Sequence, residues 1–209
     1  MKAKTVVAHL KSALAYQRTS VSLDSVLVID LEATTGADRE PGAIRDIIQI
    51  GACVLRMSTG SIENSGSVLV RPTSSEITPF CTELTGITPQ MAKNGLPFLD
   101  ACEWLKAKYD SERKVWASYG NFDRQQFISQ CEREGLRYPL SHDHVNVKLV
   151  VALHSGWAKA KGLTRALSAL KMKHEGRHHD AEDDAVNAAR LLFRALRTPH
   201  LGTYGEKHC

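Results

Sequence analysis

The chain has 209 residues, 43% hydrophobic and 24% charged, the balance of one ordinary folded domain. Its longest clean apolar runs, such as Val26 to Ile29, are far short of the ~20 residues of a membrane span. Twenty-seven Lys and Arg against 23 Asp and Glu leave a net charge of +4, so a polyanionic partner has to be held by a local patch rather than by the overall field.

Val6, Val7, Leu10, Leu14 and Ala15 recur at helical spacing, which suggests a short amphipathic helix in residues 1–24 or else a frayed terminus. Three strand-like stretches follow: Ser25 to Glu32, nearly all aliphatic at its start as in a buried central strand, then Ile47 to Met57, and Gly66 to Arg71. Their connections are too short for crossover helices, so these three strands should be antiparallel. The segment Gly36 to Ile44 reads as a loop.

After Pro72 the period changes. Thr88-Pro89 has the form of an N-cap and first helical position, and Phe98 to Tyr109 carries one apolar helical face. Lys114 to Ser118 reads as a fourth strand, Asp123 to Glu134 as a helix ended by Gly135, and His144 to Val147 as a short fifth strand. Helical segments near 148–159 and 164–170 precede a last helix from about Asp180 to Arg197. The pattern predicts one α/β domain over 25–197, with a mixed five-stranded sheet flanked by helices and a tail over 198–209. The five cysteines form an odd set without C-x-x-C spacing, and no secretory apolar core follows the start, which predicts free thiols in a reducing cytoplasm.

Asp30 and Glu32 end the most apolar strand, and the two-residue period puts both on one face with Leu31 opposite. At ~5 Å and an effective dielectric of about 20, two like charges repel by about 3 kcal/mol. The strand either reaches solvent there or opens on a cation site in the crevice at the carboxyl ends of the strands. Asp123 alone is explained as a helix cap. Asp180 and Asp183 have capping positions, but Asp184 shares a stripe with Ala188, Leu191 and Leu192, where it meets either solvent at the helix start or a partner. His179 stands five residues before Asp184, and His178 stands five before Asp183, so spacing leaves two registers open.

Asp30-x-Glu32, Asp123 and His179-x4-Asp184, in this order on these elements, resemble the DEDDh 3′-to-5′ exonucleases, whose fold is RNase H-like. Within that family, IDLEATTG, DIIQIGACVL, the Phe80–Thr88 stretch and YGNFDRQQ are similar to the KapD-like branch that includes the enhanced-RNAi exoribonucleases. The resemblance selects His179 with Asp184 as the matching pair. It implies hydrolysis at the 3′ end of short or structured RNA, releasing nucleoside 5′-monophosphates. It also implies two Mg²⁺ or Mn²⁺ ions on Asp30, Glu32, Asp123 and Asp184, a set of oxygen ligands suited to hard cations.

By the same resemblance, Asp30 bridges both ions, Glu32 and Asp184 hold the nucleophile-side ion, Asp123 acts on the second through water, and His179 accepts the proton of the attacking water. Ala33, Thr34, Leu84 and Thr85 are expected to contact the terminal base and ribose. Two readings compete: a DNA proofreading or repair exonuclease of the same fold, and a module that binds a 3′ end without cutting. A zinc site built from His142, Asp143, His144, His174, His178 and His179 matches no zinc spacing, and these histidines other than His179 are expected mostly at the surface.

Overall fold

The computed structural model of the protein describes residues 23–36 and 43–198. The helix expected within residues 1–24, most of the Gly36–Ile44 loop and nearly all of the tail expected over 198–209 lie outside the described residues.

In chain order the elements are β1 (Ser25–Ala33), β2 (Ile47–Arg56), β3 (Ile62–Leu69), α1 (Pro79–Thr85), α2 (Pro89–Lys93), α3 (Phe98–Tyr109), β4 (Trp116–Ser118), α4 (Phe122–Glu134), β5 (His144–Asn146), α5 (Val147–His154), α6 (Leu163–Ala169) and α7 (Ala181–Arg197). The sheet runs β3-β2-β1-β4-β5. β1 pairs antiparallel with β2 and β2 with β3, whereas β4 lies parallel to β1 and β5 to β4. This is the expected RNase H-like arrangement, with β1 at the point where antiparallel pairing changes to parallel.

Three features differ from the sequence reading: the helix expected near 148–159 ends at His154, β3 begins earlier than expected, and one helix was not expected. β3 starts at Ile62, earlier than Gly66, because it is an edge strand with no fully buried residue and no apolar alternation. The chain also makes a helix at Pro79–Thr85, started by a Thr78 hydroxyl that accepts the Cys81 N–H, the same device Thr88 uses for α2.

Side-chain alternation along β1 builds both layers. Val26 and Val28 face α5, α6 and α7, while Leu27, Ile29 and Leu31 pack with Phe98, Leu105 and Phe127 of α3 and α4. Asp30 and Glu32 continue the first of these stripes, so both carboxylates point toward α7. That helix buries Ala181, Ala185, Ala188, Ala189, Leu191, Leu192 and Ala195 against the sheet, and Asp184 and Asn187 lie on the same buried stripe. Asp180 caps it by accepting the Glu182 and Asp183 N–H groups.

The first turn of α7 rests directly on β2. A Cβ at Gly51 would fall inside the backbone of Ala181 and Glu182, and Gly51 is the β2 residue paired with Asp30. The neighbouring Gln49, paired with Glu32, clasps the same turn: its Oε1 accepts the Ala181 N–H at 3.2 Å and its Nε2 donates to Asp180 at 3.2 Å. Small residues and one bifunctional amide thus bring the acids of β1 and α7 together.

Gly51→Ala is expected to lift the first turn of α7, with an overpacking cost of at least about 1–3 kcal/mol. The check is a lowered thermal midpoint accompanied by loss of divalent-cation binding; a wild-type midpoint would show that the contact is not tight.

Candidate active site

At the carboxyl end of β1 the chain of β4 has already turned away. β4 stops at Ser118, Gly120 takes a positive φ of 126°, and α4 starts after the Asn121 cap. The Leu31 N–H, left without a strand partner on that side, donates to Asp123 Oδ1 at 3.1 Å. Asp123 is therefore not the helix cap. It lies in the first turn of α4 with its carboxylate drawn across the gap between β1 and β4, and it is 4% exposed.

Asp30, Glu32, Asp123 and Asp184 line one cleft of about 430 Å³ together with His178 and His179. Glu32, Asp123 and Asp184 are buried. Burial, then the neighbouring charges of Asp123, Asp184 and Glu32, holds the Asp30 carboxyl well above its ordinary value. Burial followed by the Asp184 charge pushes Glu32 up to about 8. Burial raises Asp123 to about 6 against the opposing pull of its hydrogen-bond donors. A cleft that resists ionisation of its own acids lacks positive charge, and a divalent cation supplies it.

The geometry suits such an ion. Carboxylate oxygens of Glu32 and Asp184 and a ring nitrogen of His179 lie within 4.8 Å of one another, so these residues are able to hold a metal.

His179 occupies the left-handed region at φ 63°, an uncommon conformation for a side-chain-bearing residue. Its N–H donates to Asp184 Oδ2 at 3.1 Å, and its Nδ1 stands 3.7 Å from Glu32 Oε1. Burial and the adjacent His178 ring, stacked at 4.0 Å between centroids, lower its pKa and favour the neutral imidazole. His178 instead turns Nδ1 to Asp184 at 3.1 Å.

The expectation of surface histidines holds for His142 and His178 but not for the others. His174 is largely covered and its Nε2 lies 2.7 Å from Asp184 Oδ1, held there by Asn187, which bonds the Glu175 backbone. His144 lies against Trp116, the ring centroids 4.2 Å apart and the planes tilted by 44°, and burial, followed by the Arg124 charge, lowers its pKa to about 4.

Ala33, Thr34 and Leu84 line the cleft. The Thr34 hydroxyl is engaged below it, 2.7 Å from Ser75 Oγ and accepting the Asp46 N–H at 2.9 Å. Thr85 is not among the lining residues: it is buried, its hydroxyl donates to the Cys81 carbonyl at 2.8 Å, and it accepts the Ile87 N–H at 3.1 Å.

Sequence reasoning did not single out Arg45, Tyr119, Phe122 and Leu163, which also line the cleft. Phe122 is 42% exposed, with the Arg45 guanidinium 5.9 Å from its ring centroid. The YGNFDRQQ stretch that carried the resemblance already contained Tyr119 and Phe122.

Residues 27–192 match the exonuclease family RNase T, so the chain belongs to that family. It is 28% identical over 184 residues to human 3′-5′ exoribonuclease 1, a match covering 83% of this chain and 53% of that protein, so it spans about half that relative's length. At TM-score 0.73 and 27% identity it superposes on the nuclease domain of 3′hExo, a DEDDh family member, bound to rAMP, covering 88% of this chain and 98% of the other. It matches equally, at TM-score 0.73 and 26% identity over 83% of this chain and 82% of the other, a structure of 3′-end specific recognition of histone mRNA stem-loop by 3′-exonuclease. These likenesses place the chain in the DEDDh group, on the enhanced-RNAi branch. Among the described residues no helix is long and apolar enough to cross a membrane.

The raised carboxyls set a sign for stability. Between its ordinary value of 4.5 and about 8, Glu32 keeps a proton in the folded state that the unfolded state has lost, so metal-free stability falls as pH rises through that window. The thermal midpoint in chelator should therefore drop from pH 5 to pH 8, flatten in Glu32→Gln, and recover with Mg²⁺. A midpoint that climbs over that range would contradict the crowding of the acids.

Proposed function

We propose that the chain is a metal-dependent 3′-to-5′ exonuclease that trims the 3′ end of short or structured RNA and releases nucleoside 5′-monophosphates. The observation that carries this is the convergence of four acids and a neutral histidine on one cleft, with the carboxyls of Asp30, Glu32 and Asp123 raised by burial and neighbouring charge. Names and structures of relatives that act on or bind RNA 3′ ends favour RNA over DNA. Residues 25–197 constitute the nuclease domain. The buried free thiols of Cys53, Cys81, Cys102 and Cys131 suit a reducing setting such as the cytoplasm.

Asp30, Glu32, Asp123 and Asp184 would hold two ions, Mg²⁺ or Mn²⁺ by the hardness of the oxygen ligands. Bound there, the ions supply Lewis acidity and neutralise charge on the attacking and leaving oxygens. Glu32 and Asp184 flank His179 on the side where water attacks. The imidazole, kept neutral by burial, accepts the proton of that water. Leu84 and Ala33 offer an apolar wall to the terminal base, and the Thr34 backbone borders the ribose. Thr85 acts at one remove, by fixing the Gly86 turn that presents Leu84.

A 5′-labelled single strand incubated with Mg²⁺, Mn²⁺ or chelator and resolved by length tests the reading. A ladder shrinking from the 3′ side with either metal and none in chelator is expected; internal cuts or no cleavage would overturn it. A deoxyribo strand of the same sequence separates the DNA alternative, which predicts equal or faster loss. Asp30→Asn and Asp184→Asn should abolish the ladder with the fold retained, a wild-type circular dichroism spectrum being the control. His179→Ala should lower kcat by about 10²–10⁴-fold and His178→Ala by much less; equal losses would show that the histidine register is wrong.

A further inference from the structure

We propose that the hollow formed by the 157–162 loop and α6 is the binding track for RNA phosphates upstream of the 3′-terminal nucleotide, a site that rests on the exonuclease reading and names how the strand is held. The first observation is the distribution of charge. From His144 to His174 the chain contains Lys148, Lys159, Lys161, Arg165, Lys171 and Lys173 and not one Asp or Glu. With these six removed from the 27 basic residues, the remainder faces 23 acids, so the rest of the molecule is net negative. The whole positive excess is concentrated in one stretch.

The second observation is that none of these cations is paired with an acid among the described residues. Elsewhere Arg56, Lys106, Arg113, Arg133, Arg137 and Arg190 each lie within 4.0 Å of a carboxylate. Among the described residues none of the six has such a partner; Lys161 lies over the Trp157 ring at 5.0 Å instead. Cations left without a carboxylate partner and gathered on one acid-free stretch are available to an outside anion.

The third is position. Lys159, Lys161 and Arg165, with the Thr164 and Ser168 hydroxyls, line a hollow of about 580 Å³. Lys159, Thr164, Arg165 and Ser168 are exposed. The hollow adjoins the acidic cleft through shared backbone: Gly162 and Thr164 line the hollow while Leu163 between them lines the cleft. Tyr119, a cleft residue, donates its hydroxyl to the Lys161 carbonyl at 2.9 Å and ties the two together. Cations and hydroxyls without acids are the chemistry of sequence-independent phosphate contact.

The test compares a ribodinucleotide, which has no phosphodiester beyond the one in the cleft, with a 20-nucleotide strand. Lys159→Glu with Arg165→Glu, both on exposed positions, should raise KM for the 20-mer at least tenfold and make its logarithmic salt dependence shallower by about one to two. KM and kcat for the dinucleotide should stay unchanged, and Lys159→Gln with Arg165→Gln should fall between. Unaltered KM for the 20-mer, or an equal loss on both substrates, would overturn the track. If the unaltered protein cuts neither substrate, the exonuclease reading fails by itself. Anisotropy of labelled 20-mer then still decides the track, which is overturned if the charge-reversed protein binds as tightly as the original.

Discussion

Repulsion among buried acids is the constraint around which this molecule is arranged. Asp30, Glu32, Asp123 and Asp184 come from three different elements, and burial beside like charges opposes ionisation of Asp30, Glu32 and Asp123. Something stronger has to hold them, and it is the docking of α7 on β2. Alanines along the helix, the missing side chain of Gly51 and the two-sided grip of Gln49 let the helix start approach β1 until Asp184 and Asp30 share a cleft. The hydrophobic burial behind that docking extends along the 17 residues of α7, whereas the repulsion acts only at its first turn. The fold can therefore hold the acids together despite their repulsion, which a divalent cation would relieve.

The same economy explains Asp123. Where parallel pairing between β1 and β4 ends, an N–H of the central strand is left exposed to the interior, and a buried unpaired donor costs about as much as a lost hydrogen bond. The Asp123 carboxylate satisfies it, and doing so fixes the acid in the cleft. One contact serves the sheet and the site together, so the change from antiparallel to parallel neighbours on either side of β1 is itself what opens the ligand crevice.

These relations account for what the sequence revealed and what it concealed. Period-two alternation placed Asp30 and Glu32 on one face of β1, and the apolar stripe of α7 marked Asp184 as a charge meeting either solvent or a partner, because both are local patterns. The family resemblance then selected His179 over His178, and the structure places His179 between Glu32 and Asp184. Gln49 was equally visible as a polar residue inside IIQIGACVL, but its partners lie more than 130 residues away. His174 was assigned to the surface for the same reason: what buries it is Asp184 and Asn187 on a helix that spacing cannot bring to it. The Thr78-Pro79 signature was as legible as Thr88-Pro89, and the helix it starts was missed although the signal was present.

An acidic cleft presents a difficulty to any phosphodiester that approaches it, since its field repels the substrate until cations are bound. Net charge offers no remedy: the excess of +4 is small and, apart from the stretch around α5 and α6, reversed in sign. Separation of charge does offer one. A rim only three residues long, Gly162 to Thr164, divides the acids from the unpaired lysines and arginine, so opposite potentials lie side by side along one path. An anionic chain would be attracted by one and stopped by the other, its end arriving where divalent ions can mediate between like charges. That layout suits a chain end that crosses the rim, because an internal segment would have to bring phosphates on both sides into the acidic field.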